Sequence, residues 1–283
     1  MSAGAIIAPF AFLGPAHDRQ LAEIWTEYGT SELLTAQILP GLLGGPSLAD
    51  TSKLAELVAR YVDRKFLRAI AVEYRRGRIL LIGTTNLDMQ RPIIWNMGEI
   101  AASNHPQALE LFRKVILASA SIPGVFPPVP IKVEAEGVLF DELHIDGGPT
   151  RQVFLAPAQI SLRDFDVFYD KPPVRHIYII RNSKLAPTYQ AATSNVLAIS
   201  VQTISTLIMN QSQGDILRIY TTATRDGAHF NLAAIPDDFP AQPKEAFDRA
   251  YMQELFKTGE ALARSGYRWI KAPPELGRSN ALR

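Results

Sequence analysis

The spacing of apolar positions assigns most of the elements in this chain. Residues 3–13 carry no charge and are apolar on every side, which predicts a buried helix. Pro9 falls in its middle, where the ring and the missing N–H disrupt helical hydrogen bonding, so a short or kinked helix is expected, ended by Gly14-Pro15. In residues 17–28, Leu21, Ile24, Trp25 and Tyr28 fall on one face of an amphipathic helix. The glycine-rich stretch 41–46 reads as a loop, and Asp50-Thr51-Ser52 as a capping cluster. The helix that follows is striped by Leu54, Leu57, Val58 and Tyr61, and a second helix is predicted over 64–75. Residues 78–85 form a short β-branched apolar run, the pattern of a buried central strand. Residues 86–90 turn the chain and 91–95 return as a second strand.

Helices are predicted over 97–103 and 106–118, the second striped by Leu109, Phe112, Ile116 and Leu117. The proline-rich stretch 119–129 can be neither regular helix nor central strand. Beyond it the pattern predicts a short hairpin at 131–133 and 138–140 and a separate strand at 143–145. Further strands are expected at 174–181, 215–223 and 230–235, with a long helix at 189–209. A last helix is expected over 243–264, turning Phe247, Ala250, Tyr251, Leu255 and Leu262 inward. Strands alternating with helices, without repeats, indicate one α/β domain spanning residues 1–283, with residues 1–150 bearing its motifs.

Composition narrows the function classes. Lys plus Arg number 29 and Asp plus Glu 28, a net charge of +1, so there is no electrostatic footprint for nucleic acid. The basic run Arg75-Arg76-Gly77-Arg78 reads as a solvated helix end. Cysteine is absent, which removes thiol chemistry and thiolate metal sites. No run reaches the roughly 18 apolar residues of a membrane span. The nearest, 196–209, is broken by Ser200, Gln202, Thr203, Ser205 and Thr206. A soluble or peripheral protein is expected, its compartment unassigned and any targeting signal lying upstream of residue 1.

The candidate chemistry starts at Ser2. It sits among small residues (Ala3, Gly4, Ala5) and runs directly into the first apolar helix, like a G-x-S-x-G nucleophile elbow without its first glycine. A turn of that kind exposes the hydroxyl at a helix N-terminus and makes the Ala3 amide an oxyanion donor. Taken alone, Ser2 reads more simply as a frayed helix cap. Asp146 stands at the end of a strand before Gly147 and Gly148, which let a ligand or another backbone come close; alone, it equally fits an Asp-Gly turn. His144 lies two residues before Asp146, on the same side of a strand. His229 follows Asp226-Gly227, where a Ser-Asp-His order would place its base. Both read more simply as partly buried histidines with local hydrogen bonds. His17, His105 and His176 lack metal-site spacing. Asp88 reads as a turn residue, Asp237-Asp238 as a solvated pair, and Trp95 and Phe126 as packing residues.

Three pieces in order, Ser2-Ala3-Gly4, the segment 118–128 (Ala-Ser-Ala-Ser-Ile-Pro-Gly-Val-Phe-Pro-Pro) and Asp146-Gly147-Gly148, resemble the patatin-like phospholipase family. The family pattern is G-x-S-x-G, then A-S-x-A-x-P-x-x-F-x-P, then D-G-G/A. The resemblance implies a three-layer α/β/α sandwich and a Ser2–Asp146 dyad without histidine. It also implies an oxyanion donor at Ala3, elbow and turn support from Gly4, Gly147 and Gly148, and no metal or other cofactor. The implied activity is hydrolysis of a phospholipid or related fatty-acyl ester through an acyl-enzyme, with possible peripheral membrane contact and no nucleic acid partner. Residue 1 falls at the elbow, so the family's first strand and glycine-rich oxyanion loop are expected to be missing. The alternative expectation is therefore a truncated, catalytically impaired homologue acting as a binding remnant.

Overall fold

The structure, a computed structural model, describes residues 1–36, 47, 49–155, 160–187, 189 and 196–274. The glycine-rich loop expected at 41–46 lies outside them, as does part of the helix expected from 189. The N-terminal helices are α1 (Ala3–Leu13), α2 (Asp18–Thr26), α3 (Thr30–Leu33), α4 (Ser52–Tyr61) and α5 (Arg64–Arg75). A two-residue antiparallel pair, β1 (Thr35–Ala36) with β2 (Ala49–Asp50), precedes α4. Helix α1 keeps the expected limits, with Pro9 inside it, and Gly14, at a φ of 85°, stops it. Asp63 caps α5 by accepting a 2.7 Å bond from the Phe66 N–H. The stripe of α4 is buried as its spacing requires.

The main sheet has four strands in the order β4-β3-β6-β5: β3 (Leu81–Asn86), β4 (Arg91–Asn96), β5 (Val129–Ala135) and β6 (Val138–Asp146). All of its pairings are antiparallel. Helix α6 (Met97–Ala102) leads to α7 (Ala108–Ser119), which packs on β3, β5 and β6. Phe112, Val115, Ile116 and Ala118 of α7 join α1, α4, α5 and the sheet in one hydrophobic core. The short hairpin and separate strand expected at 131–145 are instead one long hairpin. The residues between them, Asp141 and Glu142, pair with Lys132 and Ile131 and carry β6 unbroken to Asp146.

Beyond residue 160, β7 (His176–Lys184), α8 (Val196–Asp226) and β8 (His229–Ile235) form a right-length crossover unit with a parallel pair of strands. The strand expected at 215–223 is helix. Ser212, Asp215, Ile216, Ile219 and Ala223 are buried at helical spacing, and three of them enter a second core with Ile177, Ile179, Phe230 and Leu232. The last helix, α9 (Arg249–Arg264), starts at an Asp248 cap six residues later than expected and packs on α2. None of its residues is fully buried, and Ala250 is exposed. Helices against sheets make this a mixed α/β fold, as expected. No helix among the described residues is long and apolar enough to cross a membrane.

Candidate active site

Ser2 occupies the turn before α1 with φ 51° and ψ −130°, a backbone conformation that non-glycine residues rarely adopt. Its side chain makes no capping hydrogen bond, so the hydroxyl is not spent on the helix. The turn is held by the Ser2 N–H, which donates to the Ser119 carbonyl at 2.8 Å, and by the Gly4 N–H, which donates to the Met1 carbonyl at 2.9 Å. Ala3 is the first residue of α1, so its N–H has no partner within the helix. A Cβ at Gly4 would meet no atom within 4 Å, so crowding does not demand glycine there.

Asp146 ends β6 opposite Thr84 of β3 and is 2% exposed. The Gly148 N–H donates to its Oδ1 at 2.8 Å, and its own N–H donates to the Ser121 carbonyl at 2.9 Å. Burial pushes the carboxyl above its usual range; the Gly148 N–H, the Met1 α-amine and the Ser2 hydroxyl pull it partly back. The Met1 amine is in turn depressed by burial, against the attraction of Asp146.

The segment 118–128 joins the two. Its Ser119 carbonyl holds the backbone of Ser2, and its Ser121 carbonyl, two residues on, holds the backbone of Asp146. The Ser119 hydroxyl, fully buried, donates to the Gly83 carbonyl at 2.7 Å and so ties the segment to β3. Space around it is tight, and at Gly147 a close neighbour is backbone, which cannot move aside as a side-chain end can. A Cβ on Gly83 would lie 2.1 Å from the Met1 Cε; one on Gly147 would lie 2.2 Å from the Met1 Sδ and 2.9 Å from the Gly83 carbonyl. Gly148 is nearly as crowded, its Cβ position 2.9 Å from the Gln152 Nε2 and 3.4 Å from the Asp146 Oδ1.

The histidines stand elsewhere. His144 is fully buried under β3 and β4, its Nδ1 2.9 Å from the Thr84 hydroxyl and its ring beside Trp95, whose Nε1 donates to the same hydroxyl at 2.8 Å. Its Nε2 faces the Glu142 carboxylate at 3.5 Å, which favours the tautomer with the proton on Nε2 and Thr84 as donor to Nδ1. Burial lowers its pKa, against the pull of Glu142 and Asp88. His229 stacks on His176 across the β7–β8 ladder, ring centroids 4.8 Å apart. Asp88 lies in the turn after β3, as expected, but its carboxylate accepts from the Leu143 N–H of β6 at 2.7 Å. The Asp237 carboxylate accepts from the Ala186 N–H at 3.3 Å, and Phe126 is buried and stacks on Phe247. Arg76 and Arg78 pair with Glu73. Among the described residues, no three His, Asp or Glu side chains gather as a metal site would require.

Sequence reasoning missed Asp215. It is 2% exposed on α8 and accepts from the Gln152 N–H at 2.7 Å and from the Val153 N–H at 3.3 Å, just beyond Asp146-Gly147-Gly148. The available signal was a lone charge closing a stretch, after Lys184, that contains none.

A scan against family models matches residues 1–160 to Patatin, the patatin-like phospholipase family, more than half of the 283 residues. A search of the curated proteins finds no match. The match contains Ser2, the 118–128 segment and Asp146-Gly147-Gly148, and on it the chain belongs to the patatin-like phospholipase family, whose chemistry is that of lipid acyl hydrolases.

Proposed function

We propose that this protein is a serine acyl hydrolase acting on fatty-acyl esters of phospholipids or related lipids through a Ser2–Asp146 dyad. The observation that supports the reading is that the Ser119 and Ser121 carbonyls, two residues apart, accept from the backbone N–H groups of Ser2 and of Asp146. The Ser2 Oγ attacks the ester carbonyl carbon while its proton passes to the Asp146 carboxylate. The oxyanion that forms is stabilised by the Ala3 N–H at the N-terminus of α1. Collapse expels the alcohol, which takes the proton from Asp146, and leaves the acyl group on Ser2. Water, deprotonated by Asp146, then attacks the acyl-enzyme, and collapse releases the fatty acid as the proton on Asp146 returns to the Ser2 Oγ. Desolvation makes Asp146 a stronger base than an exposed aspartate, which suits it to this transfer without an intervening histidine.

Contact with a lipid surface belongs to the same proposal, because such esters reside there. The test is hydrolysis of a short-chain nitrophenyl ester and of phosphatidylcholine vesicles by wild type, Ser2→Ala and Asp146→Asn. Each variant is expected to lose activity by ~10⁴-fold or more, as when one member of a concerted catalytic unit is removed. Activity that survives both substitutions sinks the dyad.

A further inference from the structure

Among the described residues the mechanism leaves two buried carboxylates unused, Asp215 and Asp226, and of these Asp215 is bound to the loop after Asp146. Asp215 lies on α8, beyond the residues shared with the family, and no charged residue precedes it back to Lys184. It faces the short loop that leaves Asp146. The Gln152 N–H donates to its Oδ2 at 2.7 Å and the Val153 N–H at 3.3 Å, while Arg218 pairs with its Oδ1. One turn earlier, the Gln211 Nε2 donates to the Thr150 carbonyl at 3.0 Å and lies 3.4 Å from the Asp215 Oδ1. From the other side, the Thr150 hydroxyl meets that of Thr85 on β3 at 2.8 Å. Within the loop, the Thr150 and Arg151 N–H groups both donate to the Gly147 carbonyl. The loop is thus clamped between α8 and β3, and its Gly148 N–H is the one that binds the Asp146 Oδ1.

We propose that Asp215, with Gln211, is a positioning residue for the dyad: it holds the 147–153 loop so that the Gly148 N–H stays on Asp146 and the carboxylate stays aimed at Ser2. The assignment rests on the dyad reading above. Its physical basis is that a buried carboxylate taking two backbone N–H groups fixes a loop that has no regular structure of its own. A misplacement of about 1 Å in a reacting group can cost ~10²-fold in rate. The charged group facing Asp146 itself is the Met1 amine, and it does not depend on Asp215.

The test compares wild type, Asp215→Ala and Asp215→Asn by ester kinetics, by the pH dependence of kcat/KM and by carbon NMR titration of the Asp146 carboxyl. In Asp215→Ala, kcat is expected to fall ~10–100-fold with little change in KM. The Asp146 titration and the acid limb of the profile should both move to higher pH, because the Gly148 hydrogen bond that holds the carboxyl down is loosened. Asp215→Asn keeps an oxygen for the Gln152 N–H and should recover most of the loss. Wild-type kcat and an unmoved Asp146 titration in Asp215→Ala would overturn the inference while leaving the dyad standing. Activity that survives Ser2→Ala and Asp146→Asn would instead remove the dyad, and the NMR titration would still report whether Asp215 controls Asp146. If Asp215→Ala does not fold, Asp215→Ser, polar but too short to reach the Gln152 amide, carries the same two outcomes.

Discussion

At the scale of residues, the site is built at a cost to stability. Asp146 is buried with a carboxyl pushed above its usual value of 3.8. A folded-state value above the unfolded one means that the folded protein binds the proton more tightly. The stability associated with the protonated form is therefore complete below 3.8 and is lost as pH rises through the folded value. Asparagine has no such charge to bury and can still accept from the Gly148 N–H. Asp146→Asn should accordingly melt at a higher temperature than wild type near neutral pH, with the gap closing as pH falls toward 3.8, as differential scanning calorimetry at several pH values would show. A variant equally or less stable at every pH would mean that the carboxylate is not strained by burial. Under the proposed dyad the same shift sets the activity of the wild type. A general base works only when ionised, so the rate should rise with pH through a value above the ordinary carboxylate range.

At the scale of elements, the unit formed by β7, α8 and β8 depends on its own buried polar anchors. Asp226, the last residue of α8, accepts from the Ser161 hydroxyl at 3.0 Å and the Leu162 N–H at 2.7 Å, and it pairs with Arg225. These bonds tie the 3₁₀ turn Leu162–Phe168 to the helix end. The Arg225 hydrogen bond, followed by those from Leu162 and Ser161, holds the carboxyl well below its usual range. The stability it gives is present above 3.8 and lost as pH falls through the depressed value. Asp226→Ala leaves the Leu162 N–H and the Ser161 hydroxyl without their acceptor, and should cost about 2–3 kcal/mol in urea unfolding at pH 7. That cost should shrink in strong acid.

Elements were legible in the sequence where one period was clean. The stripe of α4, the limits of α5 and the central placement of β3 followed directly from apolar spacing. The 215–223 run misled because Ile216, Leu217, Ile219 and Tyr220 fit a strand as well as a helix in so short a window. Only the longer series from Ser212 to Asp226 separates the two periods. The β5–β6 hairpin was read too short because two consecutive charges, Asp141 and Glu142, interrupt the apolar pattern on a strand whose first half is exposed. In the site, Ser2 and Asp146 were legible because local turn chemistry and ordered motifs marked them. Asp215 was not, since a positioning contact with Gln152, 63 residues earlier, leaves no local pattern.

At the scale of the whole molecule, two hydrophobic cores raise the question of cooperativity. One is centred on Phe112 of α7, and the other on Leu232 of β8. The chain does not leave them separate. Asp215 and Gln211 of α8 hold the loop after β6, joining the second core to the main sheet. Phe247 packs against the first core, and the Gln253 side chain of α9 donates to the Thr26 carbonyl at 2.7 Å. The chain then returns, and Ile270 pairs with Leu232 through reciprocal backbone bonds of 2.9 and 3.0 Å. The segment after β8 therefore crosses from the second core to the first and back, so melting either core pulls on the other. We propose that the chain unfolds as one unit on this account. Phe112→Ala, at about 3–5 kcal/mol, and Leu232→Ala, at about 2–5 kcal/mol, should each shift a single unfolding transition. The check is urea denaturation followed in parallel by tryptophan fluorescence and far-ultraviolet circular dichroism. Wild-type curves that coincide, and variant curves that move together, fit one cooperative unit. A Leu232→Ala curve that splits into two steps, the later one at the wild-type midpoint, would show that residues 1–155 stand without the β7–α8–β8 unit.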